Sequence, residues 1–380
     1  MDDRIYDYWV ATIQDGYLGS LIDMVDSAGG ARAFYEMTVR DLVGIGISER
    51  LAGYINDNKP DIGVIEEDYG RLSTKGISYV NHADDDFPEK LRNIASTPYG
   101  LFVKGRLPDP LTPSVAIIGA RECSEYGRLM AEYFGDRLVK EGIQIISGMA
   151  WGIDGISQAA AIAAGGRSFA ILGCGVDIAY PAKNRILYNR LCKDDNGIIS
   201  EYAPGSAAQA RRFPPRNRII SALSDVVMVV EARAKSGTLI TVDMAIDQGK
   251  TVMVVPGRLT DNLSVGCLNL LYQGALPATS VEAVLEQLNM GKPKHAGKAG
   301  KQSAPPAVRP VKVSNDNNKI SDELSVVANV LSIEPQSTES IANAAHLSPE
   351  STLIILTRLE LEGLAREVWP GYFIRKPELA

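Results

Sequence analysis

Residues 115–127, VAIIGARECSEYG, pass from a run of small and branched apolar residues straight into a glycine-led loop. Similar apolar runs recur along the chain, in IQIISG (143–148), SFAILG (168–173), GIISE (197–201), DVVMVVE (225–231) and TVMVVPG (251–257), three of them ending on glycine. These runs are continuous in Val and Ile rather than alternating with polar residues, the pattern of strands covered on both faces. Between them lie helical stretches such as EYGRLMAEYFGDRLVKEG and GISQAAAIAAGG. Strands alternating with helices predict an extended, Rossmann-like parallel sheet with helices on both sides.

In such a sheet the ligand crevice lies at the carboxyl ends of the strands, so the residues just after each strand are the ones to read. After the first strand come Gly119, Ala120 and Arg121. Arg121 stands where a dinucleotide fingerprint has its second glycine, so a guanidinium fork replaces close backbone approach. The alternative for Arg121 is a surface salt bridge with Glu122 or Glu125. After the second strand, Ser147 and Gly148 open the loop to Asp154, which reads as an N-cap or turn residue, with a helix N-terminus aimed at the crevice. After the third, Lys183 follows Tyr180-Pro181-Ala182 and reads either as a phosphate contact or as a solvated lysine. After the fifth, Ser236-Gly237-Thr238 opens a helix and forms an anion nest. It lacks the spacing of a P-loop, so no nucleoside triphosphate site and no cofactor is expected.

The densest signal is Arg211-Arg212-Phe213-Pro214-Pro215-Arg216-Asn217-Arg218. Between Glu201 and Asp225 there is no acidic residue and there are four arginines. The two prolines are expected to hold this segment extended and display its side chains. Arginines with an interleaved aromatic suit a single nucleic-acid strand, with phosphates on the guanidinium groups and a base on the ring. The competing reading places Phe213 in the core and pairs some arginines with distant carboxylates. With only three histidines, His82, His295 and His346, and no metal-binding spacing, neither a Ser-His-Asp triad nor a metal site is expected.

Outward from this domain (residues 77–288), residues 1–76 read as small helices. Around Gly44 and Gly46 they either dock a phosphate backbone or pack on a neighbour, and their acidity favours packing. ISYV and GLFVKG read as two short strands of a connector. Residues 289–319, with seven basic residues and one acid over 291–319, read as a flexible linker. Residues 320–380 read as three helices and a hairpin around Pro370-Gly371, a winged-helix arrangement, with serine N-caps opening the second and third helices. The would-be recognition helix, SPESTLIILTRLELEGL, has Arg358 as its one basic residue, so a double-strand reader is disfavoured and a protein-interaction module expected.

The chain has 380 residues and a net charge of -7. Residues 1–76 hold 14 acidic and 7 basic residues and account for the imbalance; the rest carries 32 of each. A local basic surface is therefore compatible with the total. Four scattered cysteines, no apolar run of about 18 residues and no signal-peptide pattern at the N-terminus fit a cytoplasmic protein with no membrane association.

Taken in order, GARECSEYG, SGMAWGIDG, LGCGVDIAYPAKN, SEYAPG, FPPRNRIISALS, VVEARAKSGTLIT and VPG resemble the DprA/Smf family of bacterial DNA-processing proteins, over roughly residues 77–280. Leu268 departs from the pattern, standing where the family usually has Asn. The resemblance implies an extended Rossmann fold flanked by a sterile-alpha-motif-like N-terminal domain and a winged-helix-like C-terminal domain. It implies binding and protection of single-stranded DNA, homodimerisation, and loading of RecA recombinase during natural transformation. On matching positions it implies that Arg121, Lys183, the segment around Phe213 and Arg216, and Ser236–Thr238 line the DNA groove. The competing class is a nucleotide-processing enzyme of phosphoribohydrolase type, for which Glu231, at a strand end, is the best catalytic candidate.

Overall fold

The structure, a computed structural model, describes residues 3–13, 21–289, 320–332 and 335–375. Contacts divide the chain into two compact units, Met1–Lys292 and Pro293–Ala380. The 289–319 linker lies, but for its first residue, outside the described residues.

The first unit is built on a nine-stranded sheet. Its strands are β1 (Ile77–Asn81), β2 (Gly100–Gly105), β3 (Ser114–Ile118), β4 (Gln144–Ser147), β5 (Ser168–Ile171), β6 (Gly197–Ser200), β7 (Val226–Val229), β8 (Thr251–Val254) and β9 (Leu276–Pro277). Their spatial order is β1-β2-β6-β5-β4-β3-β7-β8-β9. From β6 to β9 all pairs are parallel. The alternation of side chains explains the continuous apolar runs. Ala116, Ile118, Ile146, Val227 and Val229 enter the core on one face, and Val115, Ile117, Ile145, Val226 and Met228 the core on the other.

The chain runs from β3 outward to β6, then returns to lay β7 on the other side of β3, with Val115 opposite Val226. That reversal makes β3/β7 the topological switch point, where a crevice opens above the strand ends.

Two parts of the sequence reading change. ISYV and GLFVKG are strands, as read, but instead of a connector they extend the main sheet: β1 pairs antiparallel with β2, and β2 antiparallel with β6, so the sheet is mixed at that edge. Residues after Arg212 are not extended, because Phe213–Leu223 is an α-helix with prolines in its first turn. The first four amides of a helix have no intrahelical acceptor, so Pro214 and Pro215 remove no hydrogen bond there.

The helices of residues 3–74 share a core with the sheet edge. Tyr8 meets Tyr79 and Phe102 edge-on, at 6.1 and 6.0 Å between ring centroids. The Tyr99 hydroxyl donates to Asp7 at 2.6 Å. Leu42 and Ile47, beside the Gly44–Gly46 turn, are buried in that same core.

The second unit contains helices Ile320–Val330, Thr338–Ala345 and Pro349–Leu361 with strands β10 (Gln336–Ser337), β11 (Ala365–Trp369) and β12 (Tyr372–Arg375), ordered β10-β12-β11. Ser337 and Ser348 cap the second and third helices, accepting from Ser340 N and Ser351 N at 3.1 and 3.2 Å. Among the described residues no helix is long and apolar enough to cross a membrane.

Candidate nucleic-acid interface

The switch-point crevice is a cleft of about 680 Å³. It gathers Gly119 and Arg121 from the loop after β3, and Phe213, Arg216 and Asn217 from the start of the Phe213–Leu223 helix. The loop after β7 adds Ser236, Gly237 and Thr238, with Arg233 and Lys235 beside them. A side cavity of about 90 Å³ adjoins it, lined in part by Gly148, Trp151, Gly173, Tyr180 and Phe213.

Arg121, Arg233 and Lys235 are exposed and, among the described residues, none of them forms an ion pair. Arg121 lies 5.9 Å from the Phe213 ring centroid, so neither Glu122 nor Glu125 neutralises it; Glu125 pairs with Arg128 at 3.3 Å. Ser236 caps the Gly237–Asp247 helix, its hydroxyl accepting from Thr238 N at 3.2 Å. Leu239 N donates to Ser236 O at 3.0 Å, and the positive end of the helix lies at the cleft lining.

Phe213 is held rather than displayed. Its ring lies so close to Gly173 that a Cβ there would stand 2.8 Å from it, and Tyr180 stacks on it at 5.4 Å and 26°. Arg216 lies 5.8 Å from the same ring but is itself buried. Its guanidinium donates to the carbonyls of Gly148, at 3.3 Å, and of Ile171. Burial pushes this guanidinium down to about 10, with Asp154 opposing the shift, so it stays charged near neutral pH. Asp154 is neither N-cap nor turn residue. Gly152 is the N-cap, and the buried Asp154 carboxylate accepts from Gly148 N at 3.1 Å. Burial raises its pKa, with Arg216 opposing. This pair fastens the loop after β4 and the end of β5 to the helix below the cleft.

Several residues read as DNA contacts are occupied elsewhere. Ser147 is fully buried and its hydroxyl donates to the Ile117 carbonyl at 2.6 Å, because it belongs to β4 itself. Arg218 is 9% exposed and grips Glu201 with two bonds of 2.8 and 2.7 Å, while its Nε reaches Ser96 O at 2.8 Å. It ties the helix to the end of β6 and faces no cleft. Arg212 donates to Ala207 O at 3.0 Å and covers the Tyr202 ring at 4.8 Å; Arg211 donates to Gln209 at 2.8 Å. Neither lines the cleft. Lys183 lies outside the cleft lining, 5.1 Å from the Trp151 ring.

Glu231 is 1% exposed. It accepts from Ser124 N at 2.9 Å and from the Ser124 hydroxyl, against Gly127 in the first turn of helix Glu125–Lys140. Burial raises its pKa, opposed by these Ser124 bonds. Its carboxylate closes a helix N-terminus and holds the loop that carries Arg121. Sequence reasoning missed Trp151 and Tyr180, 47% and 44% exposed at the rim; their exposure is a property of the folded loops and not of the motif.

Fold and cleft together define a doubly wound α/β binding domain whose crevice is furnished with free cations, a helix N-terminus and aromatic rings, the complement of a phosphate-bearing ligand with planar groups. The chain belongs to the DNA recombination-mediator protein A family, whose family model matches residues 78–289. It is 40% identical over 204 residues to DNA processing protein DprA of Streptococcus pneumoniae (strain ATCC BAA-255 / R6), covering 54% of this chain and 72% of that protein. The X-ray structure of DprA from Streptococcus pneumoniae superposes with a TM-score of 0.64 at 31% identity, covering 75% of this chain and 97% of that one. DNA processing protein A from Helicobacter pylori, solved for its single-stranded DNA binding mode, matches with a TM-score of 0.50 at 28% identity, covering 56% of this chain and 95% of that one.

Proposed function

We propose that this chain binds single-stranded DNA along the switch-point cleft, shields incoming strands from nucleases and hands them to RecA recombinase during natural transformation. It acts in the cytoplasm, as a homodimer through the Rossmann domain, and without catalysis. The observation that carries the reading is the set of ion-pair-free cations, Arg121, Arg233 and Lys235, in one cleft with a capped helix N-terminus and the stacked Tyr180–Phe213 rings. Phosphates meeting cations and backbone amides give binding that tolerates any sequence, and rings favour an unpaired strand over a duplex. The Helicobacter pylori relative's single-stranded DNA binding supports the same ligand here. In the second unit, Arg358 is paired with Glu362 at 3.1 Å while Leu353, Ile354 and Leu361 are exposed on the same helix, which supports a protein-interaction role.

Fluorescence anisotropy with labelled oligo(dT), single- and double-stranded across a salt series, tests the proposal. The wild type binds the single strand more tightly, and binding weakens steeply with salt. Arg121→Ala lowers single-strand affinity about tenfold with the fold intact, since a lost phosphate contact is worth about 1 kcal/mol or more. A protein that shows no single-strand preference, or an Arg121→Ala variant that binds as the wild type does, overturns it.

A further inference from the structure

From Ile178 to Lys193 the chain has four cations, Lys183, Arg185, Arg190 and Lys193, and no acidic residue. Most of this stretch is the helix Arg185–Leu191. Leu187, Tyr188 and Leu191 bury one side of it, and the Tyr188 hydroxyl donates to Val176 O at 2.7 Å. The other side is open. Arg185, Asn189, Arg190 and Lys193 are exposed there, with Ile186 79% exposed among them. The Asn184 side-chain amide donates to the carbonyls of Met149 and Ala150 at 3.0 and 3.1 Å, which fastens the start of the helix to the loop after β4. At the other end the Asn196 amide donates to Lys193 O at 3.2 Å and accepts from Ser168 N at 2.8 Å. A surface carried on a backbone held at both ends loses little freedom when it meets a ligand.

Local helix chemistry does not account for these charges. On other helices exposed cations pair with a carboxylate one turn away, Arg32 with Glu36, Arg71 with Glu67 and Lys140 with Asp136. Among the described residues none of Lys183, Arg185, Arg190 and Lys193 forms an ion pair. Arg190 and Lys193 suit the negative end of the helix dipole, but Arg185 opens the helix, where the positive end disfavours a cation. The row begins beside the cleft: Lys183 lies 5.1 Å from the ring of Trp151, which lines the adjoining small cavity. At about 1.5 Å per residue, Arg190 stands about 8 Å further along the helix than Arg185. Asp194 and Asp195 end the run, and Asp195 is paired with Arg106 at 3.2 Å.

Resting on the proposed binding of single-stranded DNA in the cleft, we infer that the outer face of the Arg185–Leu191 helix is a second phosphate-binding surface, a track that takes the strand where it leaves the cleft and holds its next phosphates on Arg190 and Lys193. The one aromatic ring of this helix, Tyr188, is buried, so the track grips the backbone and stacks no base. Only a strand long enough to run past the cleft engages it.

Strand length separates the track from the cleft. Oligo(dT) of about six nucleotides probes the cleft alone, and oligo(dT) of about sixteen reaches past it. The double change Arg190→Ala with Lys193→Ala leaves the affinity for the short strand unchanged. It weakens the long strand about tenfold and lowers its salt slope by about 1.4, two phosphate contacts at about 0.7 each. Arg190→Lys with Lys193→Arg keeps the long-strand affinity, since the charges remain. Arg121→Ala, in contrast, weakens both lengths. Equal losses of the double alanine variant at both lengths, no loss at either, or a loss at an unchanged salt slope overturn the track while the cleft stands. A wild type that binds neither length, or an Arg121→Ala variant that loses nothing on the short strand, refutes the cleft and the track with it.

Discussion

Segment 211–218 and the two loops around Arg121 and Lys235 are basic regions of one domain, and they spend their charge differently. The segment has four arginines in eight residues. Arg216 and Arg218 are buried, bonded to main-chain carbonyls or to Glu201, and Arg212 lies on Tyr202. The loops after β3 and β7 have three cations scattered over more than a hundred positions, and all three are exposed in the cleft. Density of charge along a chain therefore measures poorly what charge the folded surface offers. An arginine that ends a helix turn beside an acidic strand end serves the fold, and one that follows a glycine at a strand end stays exposed in the cleft.

The sharpest way to break this contrast is Arg218→Ala. It leaves Glu201 buried without its partner and destabilises the protein by about 3–5 kcal/mol, read as a shift in urea midpoint. The folded fraction keeps wild-type affinity for oligo(dT); a specific loss of affinity at full stability would return Arg218 to the DNA surface. Next in size is the double change Arg233→Ala with Lys235→Ala. It leaves the urea midpoint in place, lowers oligo(dT) affinity by about tenfold or more, and flattens the salt dependence by a slope of about 1.4, two phosphate contacts at about 0.7 each for a single strand. An unchanged salt slope rules out those phosphate contacts. Smallest is Arg212→Ala, which removes a cation–π contact worth about 0.5–1 kcal/mol and leaves affinity within about twofold. A larger loss of affinity than of stability places Arg212 among the ligand-facing cations.

Much of the domain was legible before folding. Strands buried on both faces have no polar register to keep, so Val115–Ile118 and Val226–Val229 declare themselves, and the crevice loops follow from the strand ends. The rest was set by contacts distant in sequence. Pro214-Pro215 reads equally as extended chain or as a helix's first turn, and the choice is made by Ile219, Ile220 and Leu223 finding the core. Glu201 claims Arg218 across 17 residues, and no local pattern announces that pair. Ser147 ended a strand in both readings, but its hydroxyl turned inward to a neighbouring strand's carbonyl. Trp151 was in plain view between two small residues, and only the folded loop distinguishes an open indole from a core one.

The aromatic seam between the N-terminal helices and the sheet has a practical side. Tyr79 and Phe102 are 7% and 0% exposed because Tyr8 and its neighbours roof them, and β1 is the outermost strand of the sheet. A chain trimmed at residue 76 would carry bare rings beside an unshielded strand edge, a template for self-association. The helices before residue 76 thus double as a cover that keeps this face of the sheet from meeting other molecules.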